Sequence, residues 1–290
     1  MREQKAFTSA IESLGASLFP GISSSQDGVR VDELALVAKT LGSRRGPGNV
    51  MVDVGAHFGS SLSWFVRLGW SIYAFEPDAE NRAELLRRFG DLSNLTIDAR
   101  AVSDQASDGE AFFHSSVSTG ISSLLAFHES HDRGEDVEVT TLRRACDELA
   151  INRIDVLKVD VEGLDLRVLK GHDWEAMAPD VVVCEFEDRK TLHLGYTLDD
   201  LCAYLTERQY HLLVSEWFPV HEYGARHRFR RVDAFPTRRR DPDSWGNVIA
   251  ARSRSTQLRL FWRIWLGTMI ARLVGHASAL RQRSSKRNSP

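Results

Sequence analysis

The fold is decided by Val50-Met-Val-Asp-Val-Gly-Ala-His-Phe-Gly59, an apolar run that ends in a turn with two glycines. A run of this kind is typical of a strand buried on both faces, as in a parallel sheet. Gly55 lets the backbone turn tightly and lets a ligand approach it closely. A helix that begins near Ser60 would present unpaired N–H groups and the positive end of its dipole. The stretch therefore predicts a ligand site beyond the carboxyl end of a strand in an open α/β sheet.

Short apolar runs and helical segments alternate along the rest of the chain. Further strands are predicted at 71–75, 95–102, 154–161, 181–186, 210–214 and 248–251. Helices are predicted at 31–41, 61–68, 78–89, 164–169 and 198–208. Between 102 and 153 we predict antiparallel strands at 111–114, 121–127 and 137–141, followed by a helix at 142–149. The alternation indicates βαβ units, so we predict the α/β class, with a doubly wound, mostly parallel sheet and helices on both faces.

An acidic residue, Glu76, ends the second predicted strand about twenty residues after the turn, where it can accept hydrogen bonds from a ribose diol. This arrangement fits a nicotinamide dinucleotide as well as S-adenosylmethionine. The glycines follow the pattern G-x-x-x-G, whereas a dinucleotide pyrophosphate requires G-x-G-x-x-G. Asp53 would repel a pyrophosphate but would neutralise a cationic sulfonium or amino group. Both features favour S-adenosylmethionine, with a NAD(P)-dependent oxidoreductase as the alternative.

At this point the chain resembles the FkbM family of methyltransferases over roughly residues 48–190. The resemblance follows the order and spacing of the motifs at 52–59, 75–77, 101–104, 122–124, 157–163, 168–171 and 181–187. It implies a Rossmann-like class I methyltransferase domain with S-adenosyl-L-methionine as methyl donor. It also implies transfer to an oxygen, often a hydroxyl of a sugar, a glycan or a natural product. A non-catalytic module that binds S-adenosylmethionine without turnover is the third alternative.

The resemblance also implies which residues hold the cofactor. The first turn would line its methionine end through Asp53, Gly55, His57 and Gly59. Glu76 would hold the ribose, and Ala101 and Val102 would flank the adenine. The chain departs from the family pattern at three positions, with His57 in place of the usual Asn, Asp165 in place of Glu and Arg143 in place of Asp. The first departure changes a contact to the methionine portion.

Methyl transfer requires the protein to align the acceptor oxygen and to accept its proton. The best candidate region is Lys158-Val-Asp-Val-Glu-Gly163, at the end of the fourth predicted strand. Strand alternation would place Lys158, Asp160 and Glu162 on one side, if the strand extends that far. Two close carboxylates raise the pKa of one of them, which suits a general base. We predict that Asp160 faces the cofactor or acceptor and that Glu162 is the base; capping of the following helix is the alternative for Glu162.

Other acidic and histidine side chains are secondary candidates. Asp160, Glu162 and Glu185 could coordinate a divalent metal, but nothing in their spacing requires one, and we predict none. Glu185 and Glu187 end the fifth predicted strand, where acceptor binding and ordinary ion pairing both stay open. Three histidines of the 102–153 insertion are candidate bases: His114, His128 and His131.

The charge is distributed unevenly along the 290 residues. The part up to residue 225 carries 21 basic and 37 acidic side chains, whereas the part from Arg226 onward carries 16 and 3. The acidic part would repel phosphates, so we predict a small-molecule or glycan acceptor and no nucleic acid. The three cysteines have no metal-ligand spacing, and neither a signal peptide nor a membrane span is evident. These observations favour a cytoplasmic location.

A basic amphipathic helix is predicted at 256–283, where apolar residues recur at helical spacing and the segment contains arginines but no Asp or Glu. Tryptophan and arginine in such a helix indicate peripheral contact with a membrane interface. Self-association through the helix and packing on the acidic core are the alternatives. We therefore predict three segments: a helical lead-in at 1–47, the methyltransferase domain at 48–252, and a basic helix with a disordered tail at 253–290, the tail beginning at 281.

Overall fold

The computed structural model describes residues 18–25, 28–42, 48–115, 122–126, 129–220 and 226–287. His128 lies outside these residues. The strand predicted at 121–127 is wrong over the described residues 122–126, where Ser123 forms only an isolated bridge to Phe113. The strands are β1 (Ile22–Ser25), β2 (Gly28–Val31), β3 (Val50–Val54), β4 (Ser71–Phe75), β5 (Leu95–Asp98), β6 (Ala101–Ser103), β7 (Ser107–Ser115), β8 (His131–Thr141), β9 (Val156–Val159), β10 (Val181–Glu187), β11 (His211–Trp217), β12 (Phe229–Ala234) and β13 (Trp245–Ala251). The helices are α1 (Glu33–Leu41), α2 (Ser63–Arg67), α3 (Ala79–Phe89), α4 (Leu142–Glu148), α5 (Asp165–Lys170), α6 (Asp188–Thr191), α7 (Leu198–Glu207) and α8 (Arg254–Arg287).

The central sheet has eight strands in the order β12-β11-β13-β10-β9-β3-β4-β5. The five strands from β10 to β5 are parallel, and β13 joins them antiparallel between β10 and β11. A separate sheet of three strands, β6-β8-β7, forms from the 102–153 insertion. This topology confirms the predicted α/β class and the mostly parallel sheet.

Both faces of the central sheet are covered, as the uninterrupted apolar runs require. Along β3, Val52 and Val54 belong to one hydrophobic cluster, and Met51, the residue before Val52, belongs to the other. The first cluster includes side chains of α4, α5 and α7, and the second includes side chains of α1, α3 and α8. Helices therefore pack on both sides of the sheet, and the fold is doubly wound.

Two predicted strands end earlier than expected. The segment 95–102 divides into β5 and β6, which lie in different sheets, because Arg100 bonds back to the Asp98 carboxylate through its backbone N–H and its guanidinium and turns the chain. β9 ends at Val159 rather than at residue 161, because Glu162 and Gly163 both adopt positive φ angles. β12 was not predicted, since its sequence carries adjacent arginines and alternates only partly.

The two ends of the described chain pack together. The segment predicted as a helical lead-in contains the β1–β2 hairpin before α1, whose first turn is capped by Asp32. α8 contacts this hairpin and α1, with Leu260 and Ile264 buried. α8 continues to Arg287, so the prediction of a disordered tail from residue 281 is wrong over 281–287. No described helix combines the length and the apolar character that a membrane span requires.

Candidate active site

A cavity of about 440 Å³ lies beyond the carboxyl ends of β3, β4 and β9. The glycine turn after β3 and Glu76 after β4 form one end of its lining. Phe112 of β7 and residues 122–124 come from the insertion and cover the same end. The opposite end is lined by Trp217 and Trp245 of the antiparallel strands. The cavity therefore has the position that the topology of an open α/β sheet predicts for a ligand.

Gly55 is required where β3 and β9 approach each other most closely. It has a φ of 78°, and a Cβ at this position would lie 1.9 Å from the carbonyl oxygen of Asp160. Gly59 also has a positive φ, but its missing Cβ makes room for Leu85 and Phe89 of α3. Gly55 lines the cavity and Gly59 does not. The structure thus gives the two glycines of the motif different roles, ligand approach and helix packing.

Asp53 lies beneath the turn, fully buried and outside the lining of the cavity. Its Oδ1 is 3.2 Å from the Lys158 Nζ, and its Oδ2 accepts a hydrogen bond from the Ser61 hydroxyl. The Lys158 ammonium also donates to the Gly55 carbonyl at 2.5 Å. Burial alone would lower the pKa of Lys158, but the carboxylates of Asp53 and Asp160 raise it. The charge of Asp53 is therefore taken up by Lys158, which holds the turn in place.

Glu76 reaches the cavity with its carboxylate already oriented by backbone donors. Its Oε2 accepts from the His57 N–H at 2.7 Å, and its Oε1 accepts from the Asp78 N–H at 3.0 Å. Burial raises the pKa of Glu76 above its ordinary value. Its Oε1 also accepts from the Asn81 side-chain amide at 3.5 Å, so Oε2 is the oxygen with more capacity left for a ligand. Glu76 can therefore bind a ribose diol.

His57 lines the cavity beside Glu76 and has a φ of 49°. Asn, Asp and His adopt this left-handed region more often than other residues with a side chain. The ring of His57 stacks on Phe58 with centroids 3.7 Å apart. Burial lowers the pKa of His57, and the Lys158 charge lowers it further. His57 is therefore neutral at pH 7.

Ala101 and Val102 of β6 are buried and line the cavity on the side of the insertion. Arg100, the residue before them, is fixed to Asp98 and to Glu148 of α4. The flat apolar surface that Ala101 and Val102 offer, together with Phe112, suits an aromatic ring such as a purine. Phe112 could not be identified from the sequence, because it lies on β7, outside the central sheet, and reaches the cavity only in the folded chain.

Asp160 and Glu162 both line the cavity, but they belong to different ion clusters. Asp160 lies 3.5 Å from the Lys158 Nζ. Glu162 has a φ of 57° and turns away from Lys158 to accept from the Lys190 Nζ at 2.6 Å. The predicted alignment of Lys158, Asp160 and Glu162 along one strand face is therefore wrong, because β9 ends at Val159. The helix-capping alternative for Glu162 is also absent, since α5 has no side-chain cap.

Lys190 is the centre of a cluster that sequence reasoning missed. Its Nζ lies within 3.2 Å of three glutamates: Glu162, Glu185 and Glu187. Burial raises the pKa of Glu162 and of Glu185 despite the opposing charge of Lys190. Asp165 lies in the same region without a described hydrogen-bond partner for its Oδ1, and burial together with Asp160 raises its pKa to about 8. The cluster carries more carboxylates than cations, so it can take up a proton.

Carboxylate oxygens of Asp160, Glu162 and Glu185 lie within 4.8 Å of one another. Three such ligands suit a hard divalent cation such as Mg²⁺. The ammonium of Lys190 lies against two of these glutamates and already supplies positive charge there. A cation at this position would therefore compete with Lys190 for the same oxygens.

Two of the three predicted histidines, His114 and His131, do not line the cavity. His114 has its Nδ1 2.8 Å from the Asp78 carboxylate, and its side chain is nearly half exposed. His131, at the start of β8, does not contribute to the lining. His128 lies outside the described residues.

The end of the cavity beyond the acidic cluster is aromatic. The rings of Trp217 and Trp245 lie 5.6 Å apart at an angle of 33°. The Trp217 indole N–H donates to the buried Glu33 carboxylate at 3.0 Å, and the Trp245 indole N–H donates to the Phe218 carbonyl. These contacts fix both rings beside the lining residue Asn247.

The part of the chain that carries most of this cavity is similar to known methyltransferases. A family model described as the methyltransferase FkbM domain matches residues 53–212. The chain is 25% identical over 161 residues to the 2-O-methyltransferase NoeI of Sinorhizobium fredii (strain NBRC 101917 / NGR234). That match covers 50% of this chain and 65% of the relative, less than two thirds of its length.

Solved structures with a similar arrangement are more distant. A precorrin-6y C5,15-methyltransferase from Geobacter metallireducens is 16% identical, with a TM-score of 0.39, over 76% of this chain and 87% of that one. A putative methyltransferase from Streptococcus mutans, solved in complex with SAH, is 9% identical, with a TM-score of 0.40, over 76% and 97%.

Proposed function

The chain belongs to the FkbM family of methyltransferases, and from this premise we propose that it is an S-adenosylmethionine-dependent O-methyltransferase. Its acceptor is a hydroxyl of a sugar, a glycan or a natural product. The observation that carries the proposal is the pairing of the glycine turn with Glu76 at one end of the cavity, and of acidic and aromatic side chains at the other. The first end fits a nucleoside and the second fits a polar ring.

The residues present fit S-adenosylmethionine. Glu76 offers oriented acceptors for the two ribose hydroxyls, and Gly55 leaves the backbone open to a ligand. Ala101 and Val102 offer the apolar surface for the adenine. The G-x-x-x-G turn does not supply the three-glycine pattern that a pyrophosphate requires, which disfavours NAD.

When bound, S-adenosylmethionine supplies an activated methyl group, so the chain itself must orient the acceptor hydroxyl and take its proton. We assign the proton to Glu162, whose raised pKa gives it more affinity for a proton than an ordinary glutamate has. The Lys190 ammonium pairs with the Glu162 carboxylate and so keeps the unprotonated form of Glu162 accessible. Asp160, which pairs with Lys158, accepts a hydrogen bond from the acceptor hydroxyl and positions the acceptor.

A sugar is the acceptor class that the far end of the cavity suits best. Trp217 and Trp245 present apolar ring surface, on which the C–H face of a sugar can stack, while Asp160 and Asn247 offer partners for its hydroxyls. The relative NoeI is itself named as a 2-O-methyltransferase. The carboxylates of the lining disfavour a polyanionic acceptor such as nucleic acid.

Two measurements test the proposal in sequence. Isothermal titration of the full chain should show binding of S-adenosylmethionine and of its demethylated product, and none of NAD. A screen of glycan and natural-product acceptors with a labelled methyl donor should then show transfer to a hydroxyl. Binding of NAD instead would establish the oxidoreductase alternative. If S-adenosylmethionine binds but no acceptor is methylated, and Glu162→Gln binds the cofactor as the parent does, a non-catalytic module would be favoured.

A further inference from the structure

The long helix α8 is apolar on two opposite sides. One side is buried against the core through Leu260, Ile264 and Ala271, and Gly267 on the same side packs against Ile22 and Phe19. The other side carries six of the large hydrophobic side chains that the described residues expose: Leu258, Trp262, Trp265, Leu266, Met269 and Leu273. At about 100° per residue these six lie on the face that points away from the core. We refer to them as the outer stripe.

The side chains of the outer stripe are only partly covered by the domain. Trp262 is 56% exposed and Leu273 is 67% exposed, although both are large apolar side chains. Trp262 and Trp265 contact each other edge to face with centroids 5.5 Å apart. A contiguous exposed patch of this kind marks an interaction surface, whereas isolated exposed leucines need no explanation.

The charge around the outer stripe is of one sign. From Arg254 to Arg287 the sequence carries eight basic side chains and no acidic one. Arg263 and Arg272 extend along the flanks of the helix, where they donate to the carbonyls of Leu18 and Arg230. The acids of the chain all precede this segment, the last being Asp243. The surface therefore combines an apolar centre with a cationic margin.

We propose that the outer stripe of α8 docks the protein on the surface of a membrane rich in anionic lipids, with the helix lying in the plane of the interface. Indole rings favour the headgroup level of a bilayer, and arginines are attracted to lipid phosphates. A second copy of the chain is a poorer occupant, because two such helices would bring arginine against arginine with no acid in the segment to neutralise it. The helix lies on the membrane and does not cross it, since its other face is held by the core.

Vesicle flotation of the full chain tests the proposal. Vesicles of phosphatidylcholine mixed with phosphatidylglycerol should carry the protein upward, and vesicles of phosphatidylcholine alone should bind it about tenfold more weakly. Raising the salt concentration should weaken binding to the mixed vesicles, because it screens the arginines. Equal binding to both kinds of vesicle, or to neither, would overturn the proposal.

Variants separate the outer stripe from the rest of the surface. The double variant Trp262→Ser with Trp265→Ser should lower binding to the mixed vesicles about tenfold or more. Leu86→Ser is the matched control, because Leu86 is 50% exposed on α3, and it should leave binding unchanged. Far-ultraviolet circular dichroism and titration with S-adenosylmethionine show that each variant is folded, independently of vesicle binding.

Light scattering coupled to size exclusion gives the competing outcome. A concentration-dependent dimer that the double tryptophan variant abolishes, without any vesicle binding of the parent protein, would identify the outer stripe as a contact between copies and would refute membrane docking. A monomer that floats with anionic vesicles supports the proposal. Failure of the methyltransferase assay would not affect either result, since vesicle binding requires neither cofactor nor acceptor.

Discussion

Two buried lysines lie at the carboxyl edge of the sheet, and each is surrounded by carboxylates, but the balance of charge differs. Lys158 pairs with Asp53 and Asp160 and donates to the Gly55 carbonyl. Lys190 faces three glutamates, and Asp165, whose Oδ1 has no described hydrogen-bond partner, lies near them. The first cluster is close to neutral, whereas the second has an excess of negative charge.

The difference separates a structural role from a chemical one. In the nearly balanced cluster the Lys158 ammonium pairs with two carboxylates, so it can fix the turn of the proposed cofactor site. Burial raises the pKa of carboxyl groups in both clusters, Asp53 included, but only the second cluster has an excess of carboxylates that can take up a proton. We therefore propose that similar residue types, one strand apart, fix the turn of the proposed cofactor site in one case and accept protons in the other.

Replacement of Lys158 should have the largest effect on stability. Lys158→Met leaves Asp53 buried without its cation, and an uncompensated buried charge costs about 3–5 kcal/mol of the free energy of unfolding. Lys190→Met should cost less, because the glutamates around it can take up protons. Denaturant unfolding of both variants measures the difference. The double variant Asp53→Asn with Lys158→Met should recover part of the loss, and equal costs for the two lysines would contradict the comparison.

Replacement of Glu162 should have the largest effect on catalysis. Glu162→Gln keeps the shape of the side chain and removes the proton acceptor, so kcat should fall by about 100-fold or more with little change in cofactor affinity. Glu187→Gln is the matched control, because Glu187 contacts the same Lys190 but does not line the cavity. An unchanged kcat in Glu162→Gln would move the base to Asp160, which Asp160→Asn then tests.

Replacement of Glu76 should weaken binding of the cofactor without affecting binding of the acceptor. Glu76→Gln removes one charged acceptor for the ribose, and a hydrogen bond to a charged group is worth about 1.5–3 kcal/mol, so affinity should fall roughly tenfold to a hundredfold. Isothermal titration with S-adenosylmethionine measures it. Glu84→Gln on the exposed face of α3 should leave the affinity unchanged. A loss of acceptor affinity in Glu76→Gln, with cofactor affinity intact, would reverse our assignment of the two ends.

The parallel strands of the central sheet, the glycine turn and Glu76 could be predicted from the sequence, because each depends on local pattern. An uninterrupted apolar run indicates a buried strand, and the position of Gly55 marks the turn. The division of 95–102 escaped prediction because it depends on Arg100 bonding back to Asp98, a contact that hydrophobic periodicity does not register.

The acidic cluster could be predicted only in part, because its geometry is not local. Asp160 and Glu162 were identified as candidates, but their assignment to different lysines follows from the positive φ of Glu162 and from Lys190, 28 residues away. Trp217 and Trp245 were missed for a similar reason. They meet through the pairing of β11 with β13, which an alternation of strands and helices does not predict.

The smallest expected effect concerns Asp165, whose pKa burial and Asp160 raise to about 8, well above the ordinary value of 3.8. The folded state then holds a proton that the unfolded state releases. The resulting stability is fully present below pH 4 and is lost as the pH rises toward 8. Asp165→Asn removes this dependence, so its melting temperature relative to the parent should increase between pH 5 and pH 8, by roughly 2–4 °C for each kcal/mol of stability that the parent loses. Calorimetry across that range checks it, with Asp173→Asn as control; parallel curves for parent and variant would show that Asp165 is ionised in the folded state, and that the second cluster is more nearly balanced than its geometry indicates.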